Sequence, residues 1–232
     1  MPVAKELAVI PLSQNALVNA SPLTQTFPLF RDKSGVYHFP DTISVFGEFG
    51  FAMNVVDKRE GTNNVYQFHR AELMVDGNLE FELSYDRIPF NQGKFAKTMI
   101  EYDLKRKNLG EFQKLYRLPE HRKISIHSSD KSGILGLAPG VHSVEIGIFD
   151  AHGNKTIIKG TVAATFPMTL EASEIFRDDK VVTLALSPKR GGLAIRDAVV
   201  YSFTKYGFAD KKVEIIHSEQ VKKDLHITLK LR

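Results

Sequence analysis

Cysteine and tryptophan are both absent from the 232 residues. Without cysteine there are no disulfides, no thiolate metal ligands and no cysteine nucleophile. The compartment stays open on this point, since many exported bacterial domains also lack the residue. Sugar-binding surfaces commonly use exposed aromatic platforms with tryptophan prominent. Here that role falls to tyrosine if to anything: Tyr37, Tyr66, Tyr85, Tyr102, Tyr116, Tyr201 and Tyr206. Core or edge packing is their simpler role, and most phenylalanines fall on inferred core faces. No apolar run approaches the 18 or more residues of a membrane-spanning helix. The opening MPVAKELAVIPL has one lysine and no extended apolar stretch, so it does not read as a signal peptide. The expectation is either a cytosolic protein or an internal piece of a longer exported chain.

Catalytic motifs are equally scarce. None of His38, His69, His121, His127, His142, His152, His217 and His226 sits in a His-Glu-x-x-His or His-x-His pattern. They read as surface or edge residues. There is no Gly-x-Ser-x-Gly elbow and no Walker-type loop, and Gly191-Gly192 after Lys189-Arg190 has the wrong spacing to cradle phosphate. Asp76-x-Asn78-x-Glu80 resembles the opening of a calcium loop but lacks the central glycine and terminal glutamate. The polar loop Asp57 to Asn64 has enough oxygens to bind Ca²⁺, as its weaker reading. No catalytic, cofactor-binding or metal-binding residue is therefore assigned, and no cofactor is expected.

Charge points to no polyanion site. Thirty-one Lys and Arg against 27 Asp and Glu give a net +4, and the signs are interspersed. The densest basic run is Lys105-Arg106-Lys107. Nucleic-acid binding wants a concentrated stripe, so these charges read as a solvated surface.

What the chain does contain is alternation. Hydrophobic content of 43% with 25% charged residues suits a folded soluble protein. In GVHSVEIGIFDAHGNKTIIKGTVAATF, residues 140–166, Val144, Ile146 and Ile148 oppose Ser143, Glu145 and Gly147. Beyond the knot, Ile158, Val162, Ala164 and Phe166 oppose Lys159, Thr161 and Thr165. Side chains on a strand switch faces at every residue, so the stretch is a half-buried hairpin. Asp150, His152, Gly153 and Asn154 between the runs are turn-type residues, with Gly153 suited to positive φ; the knot reads as a turn, not a site.

The same rhythm recurs along the chain. Ile43, Val45, Phe49, Phe51, Met53 and Val55 form one long face, and Ala71, Leu73 and Val75 lead through Asp76-Gly77 into Leu79, Phe81, Leu83 and Tyr85. Asp-Gly between alternating runs is a strong hairpin signal. Thr98 to Leu104 fits either strand or helix; Lys114, Tyr116 and Leu118 read as a return strand, and Ile124 and Ile126 as another. After Phe166-Pro167 come Val182, Leu184 and Leu186; then Val199, Tyr201 and Phe203; Val213 and Ile215; and finally Leu225, Ile227, Leu229 and Leu231. Alternation up to the last residue reads as a fragment boundary. Short strands with regular turns and no βαβ rhythm indicate an all-β fold. We expect two immunoglobulin-like β-sandwich units, a larger one over residues 1–165 and a smaller one, read as incomplete, over 166–232.

Three stretches carry a family resemblance: LAVIPLSQNALVN near the start, GEFGFAMNVVDKREGTNNVYQFHRAELMVDGN at residues 47–78, and EYDLKRKN followed by GVHSVEIGIFDAHGNKT. Over about residues 5–165 their order and spacing resemble the β-sandwich region that follows the catalytic domain of exported lysostaphin-like (LytM-type) zinc metallopeptidases of Bacteroidetes-like bacteria. That family binds zinc through His-x-x-x-Asp and His-x-His motifs. Neither occurs here, and His38 stands at the wrong spacing from Asp41. The resemblance thus implies a non-catalytic accessory or scaffold region of a cell-wall metallopeptidase, located in the periplasm or outside the cell. The partners it implies are an upstream peptidase domain or another cell-envelope protein, and peptidoglycan. The alternative is a carbohydrate-binding or adhesive β-sandwich of a surface protein.

Overall fold

The computed structural model describes residues 1–58, 65–66, 68–85, 97–118, 129–165, 170–189, 198–203 and 209–231. Strand accounts for 59% of the described residues and helix for 4%, an all-β, sandwich-type architecture. By its internal contacts the chain divides into two units, Met1–Thr165 and Phe166–Arg232.

The first unit runs through β1 (Val3–Pro11), β2 (Leu17–Val18), β3 (Gln25–Pro28), β4 (Phe30–Arg31), β5 (Tyr37–His38), β6 (Ile43–Phe46), β7 (Phe49–Lys58), β8 (Val65–Tyr66), β9 (Arg70–Val75) and β10 (Asn78–Ser84). A 3-10 turn (Lys97–Met99), a short helix α1 (Tyr102–Arg106), β11 (Phe112–Lys114), β12 (Gly140–Phe149) and β13 (Lys155–Ala164) follow. Five strands form one sheet in the order β11-β7-β1-β3, with β8 on β7. Eight form the other in the order β10-β9-β12-β13-β5-β4, with β6 also on β13 and β2 on β6. Between the sheets lies a continuous apolar core. Leu7, Val9, Phe49, Phe51 and Met53 come from the first sheet, and Leu73, Phe81, Ile146, Ile148, Ile158 and Val162 from the second.

The alternating runs predicted from sequence supply this core, with instructive exceptions. The run Ile43 to Val55 is not one strand. It breaks at Gly47 (φ +72°), so that β6 lies in the larger sheet and β7 in the smaller. Both halves still face the same core, which is why the break is silent in the hydrophobic pattern. Asp76 and Gly77 are the two loop residues of the β9–β10 hairpin, both at positive φ (+49° and +78°) as a type I′ turn requires. A bulge between Leu79 and Phe81 then turns Leu79 out to solvent, against the expectation that it shares a face with Phe81. The Thr98–Leu104 segment forms the 3-10 turn and α1, and β11 returns against β7.

Helix α1 explains another feature. In β1, Leu7, Ala8, Val9 and Ile10 are all buried. Leu7 and Val9 face the inter-sheet core, while Ala8 and Ile10 join Ala52, Leu104, Phe112 and Tyr116 in a second cluster on the other face. The smaller sheet is thus covered on both sides. Gly50 permits this, because a Cβ there would collide with the ring of Tyr116.

Strand β13 organises the larger sheet. It pairs with β12 over ten antiparallel partners, from Lys155↔Phe149 to Ala164↔Gly140. On its other edge it pairs in parallel, first with β5 and then with β6. Between those two short strands Phe39 donates its amide to the Lys159 carbonyl (3.0 Å) and lays its ring against Gly160. A Cβ at Gly160 would overlap that ring.

The second unit comprises β14 (Leu170–Arg177), β15 (Val181–Pro188), β16 (Val200–Phe203), β17 (Ala209–Val213), β18 (Ile215–Val221) and β19 (Asp224–Lys230). A four-stranded sheet, β14-β15-β19-β18, accompanies the hairpin β16-β17. Val182, Leu225, Ile227 and Leu229 form the core, with Leu184, Leu186, Val200 and Val213 against it. Register corrects the sequence reading at one point. Val200, paired with Val213, packs inward, whereas Val199 is 49% exposed. Ile124, Ile126, Phe166 and the Gly191-Gly192 turn lie outside the described residues.

Gly160→Ala should destabilise the first unit by about 1–3 kcal/mol, the usual cost of forcing extra volume into a packed site. In a Phe39→Ala background the same change should cost clearly less, because the clash is gone. Urea unfolding of the four proteins measures the coupling; additive effects would contradict the contact.

Candidate functional site

Geometry shows that the knot at Asp150 is a turn. Asp150 Oδ1 accepts the amides of His152 and Asn154 (2.9 Å each), Oδ2 accepts Asn154 Nδ2 (2.7 Å), and Gly153 takes φ +82°. The β4–β5 hairpin repeats this construction. There Asp32 Oδ1 accepts the amides of Ser34 (2.8 Å) and Val36 (3.0 Å), and Gly35 has φ +89°. Burial alone would raise the pKa of Asp150, but the bonds from Asn154 and His152, with the N-terminal amine 3.4 Å away, outweigh it and bring it to about 2. His152 contributes its backbone, not its ring.

A second cluster superficially resembles a hydrolase triad. Asp76, His142 and Ser143 meet at the β9–β10 turn. His142 Nδ1 lies 2.6 Å from Asp76 Oδ2, its Nε2 lies 2.7 Å from the Ala138 carbonyl, and Ser143 Oγ donates to Asp76 Oδ1 (3.1 Å). Both ring nitrogens thus face acceptors, which only the imidazolium satisfies fully. A triad histidine needs a free nitrogen to take the serine proton, and here the serine points at the aspartate instead. The cluster is a clasp that ties the hairpin to β12.

The face of the larger sheet turned away from the core has room for a ligand. Register places one outward residue from each of six neighbouring strands in a single cross-strand row: Leu79, Met74, Glu145, Lys159, His38 and Phe30. At strand spacings near 4.8 Å the row spans roughly 24 Å. Its ends are apolar, with Leu79 37% and Phe30 52% exposed, and its middle is charged. Lys159 Nζ stands 3.4 Å from Glu145, and Lys155 approaches the same carboxylate at 3.5 Å. Phe30 stacks on His38 with ring centroids 5.4 Å apart, and His38 is in turn held by Asp32 (2.8 Å). The Ser34 hydroxyl first, and then His38, keep the Asp32 carboxyl well below the usual carboxylate range.

Beside this row of long side chains runs a row of short ones. Ser143 and Thr161 are cross-strand partners, and the Thr161 hydroxyl lies 2.7 Å from that of Thr42. The step in height between the rows creates an open groove of about 520 Å³, bordered by His38, Met74, Ser143, Glu145, Lys159 and Thr161. Alternation alone marks Ser143, Glu145, Lys159 and Thr161 as outward. What it misses is their alignment with His38 and Phe30, over a hundred residues earlier in the chain.

The remaining sequence candidates lie elsewhere. Tyr37 and Tyr116 are buried. Tyr85 donates no platform either: it is partly buried against Gln113, and burial raises its pKa. Among the described tyrosines, Tyr102 on α1 is the strongly exposed one, on the opposite side of the first unit's sandwich from the groove. Lys105 of the basic run pairs with Glu111, and Arg106 sits 3.9 Å from Asp103. The Asp57–Asn64 loop and His121 and His127 fall outside the described residues, apart from the strand backbone at 57–58. Among the described residues no three His, Asp or Glu side chains converge as metal ligands, and no helix is long and apolar enough to cross a membrane.

The clasp makes a pH prediction. Asp76, and then the Ala138 carbonyl, hold the pKa of His142 above its ordinary value; His142, and then the Ser143 amide, hold that of Asp76 below. The raised histidine stabilises fully below about pH 6.5 and loses this as pH rises through its folded pKa. The lowered aspartate stabilises above about pH 4 and loses this as pH falls through its own. The difference in thermal stability between the parent and His142→Ala should therefore be widest between about pH 4 and 6.5 and shrink on either side. A difference that stays constant from acid to alkaline pH would contradict an ionic clasp.

Comparison with known proteins adds little to this geometry. No family model matches the chain, and no curated protein matches it. Among solved structures, the chain is similar to a Ca²⁺-stabilized adhesin that helps an Antarctic bacterium bind ice, at 9% identity and a TM-score of 0.21. The match covers 98% of this chain and 57% of that one, so this chain spans little more than half its length. A likeness of that degree carries no argument about function.

Proposed function

We propose that this chain is a non-catalytic binding region of an exported cell-envelope protein, and that it engages the cell wall through the open face of its larger sheet. The carrying observation is the outward row from Leu79 to Phe30 with its adjoining groove. Among the described residues of the first unit, the smaller sheet is buried on both faces, while the outer face of the larger sheet carries this row. The side chains along it are held by their neighbours, which lowers the entropy lost on binding. The resemblance of residues 5–165 to the region following LytM-type catalytic domains supplies the setting. In that setting the chain positions a peptidoglycan peptidase carried by an upstream domain, in the periplasm or outside the cell. The exposed aromatic end of the row, Phe30 on His38, favours a second reading as a carbohydrate-binding or adhesive module of a surface protein.

Co-sedimentation with purified peptidoglycan sacculi, beside chitin and cellulose, separates these readings. The expected outcome is retention on sacculi and not on the other two polymers, with the sacculi left undigested whether or not zinc is added. Retention on chitin or cellulose would favour the second reading. Chelator-sensitive digestion by the purified chain would overturn the non-catalytic assignment.

A further inference from the structure

The groove has a chemical signature that narrows its ligand, and we infer that it takes the sugar backbone of a glycan strand, a neutral oligosaccharide, and not the peptides attached to it. This rests on the cell-wall reading above and assigns the contact to particular residues.

Charge is the first argument. An anionic ligand would meet Glu145, with Asp32 and Asp76 behind His38 and Ser143. A cationic ligand would meet Lys159 and Lys155. The lysines and the carboxylate already compensate one another along the row, so neither sign of ligand gains. A neutral ligand whose groups both donate and accept gains from both. Each sugar hydroxyl is such a group. The Lys159 ammonium keeps donors beyond the one directed at Glu145, the Glu145 oxygens keep lone pairs, and the Ser143 and Thr161 hydroxyls can accept as well as donate.

Apolar surface is the second argument. Pyranose rings are amphipathic, with C–H faces that pack on aromatic and aliphatic groups. Met74 and His38 border the groove, and beyond His38 the exposed Phe30 ring stacks on the imidazole at an interplanar angle of 25°. The polar groups lie between Met74 and Phe30, as an extended sugar chain would need. A span of roughly 24 Å suits an oligomer and not a single sugar.

Isothermal titration with three soluble probes tests this: glycan strands freed of peptide by an amidase and then converted to neutral amides at the exposed lactyl carboxylates, the released stem peptides, and a cello-oligosaccharide. The expected result is binding of the peptide-free glycan, with an affinity nearly independent of salt because the ligand is neutral. Lys159→Ala and Phe30→Ala should each weaken it by about tenfold. Arg106→Ala, on α1, should leave it unchanged and so controls for handling. Folding of each variant is checked by its thermal unfolding midpoint, and Lys159→Met, which keeps the stem and removes only the ammonium donors, serves if Lys159→Ala fails to fold; it too should weaken binding. Several outcomes overturn the inference while leaving the cell-wall reading standing. These are binding of stem peptides in place of glycan, glycan binding that the row variants do not alter, or retention on sacculi with no affinity for soluble glycan. Preference for the cello-oligosaccharide overturns the peptidoglycan setting, and no retention on sacculi overturns both.

Discussion

The parallel pairing of β13 with β5 is the constraint on which the open face of the first unit depends. An antiparallel hairpin such as β12–β13 needs only a short turn, but a parallel partner must come from elsewhere in the chain. Here it comes from residues 37–38, brought alongside by Phe39. That ring occupies the space a side chain at Gly160 would take and packs near Phe51 in the core. Pairing and packing are therefore coupled. The contact that buries Phe39 is the contact that sets Lys159 beside His38, and with it the alignment of the row.

The two sheets of this unit are not equivalent. The smaller is apolar on both faces, and α1 with its flanking segment covers the side away from the main core. The larger presents Arg70, Glu72, Glu82, Glu145, Lys155 and Lys159 outward, largely in opposite-charge pairs. Arg70 and Lys155 also lie over the Phe149 ring, at 4.8 and 5.5 Å from its centroid. Such partly exposed pairs add little stability individually. Their effect is to fix long side chains in place, giving a surface with defined relief and little net charge.

The second unit relies on a smaller core and on protected edges. Its edge strand β14 is exposed along its whole length, with Ile175 and Phe176 outward. An uncovered edge of this kind invites pairing with other chains. A bulge between Glu174 and Phe176 interrupts its register, and Glu171, Glu174 and Arg177 place charge along it. Both devices oppose edge-to-edge association.

Much of this fold was legible in the sequence because strand periodicity is local. Val144, Ile146 and Ile148 announce their shared face within a few residues, and Asp76-Gly77 and Asp150 to Asn154 announce their turns through backbone conformations that few residue types adopt. Local signals also explain the misreadings. A sheet change at Gly47 that keeps the same core leaves the hydrophobic pattern intact, and a bulge of one residue turns Leu79 outward without altering composition. At β16 the sequence reading took Val199 as inward, and pairing with Val213 shows that Val200 packs inward instead. The candidate site could not be read in this way at all. Its row joins residues 30, 38, 74, 79, 145 and 159. The sequence by itself determined which residues of the regular strands β12 and β13 face outward, since alternation is a property of one strand. Only the tertiary structure decided which of them stand side by side, because register between distant strands is set by packing across the core.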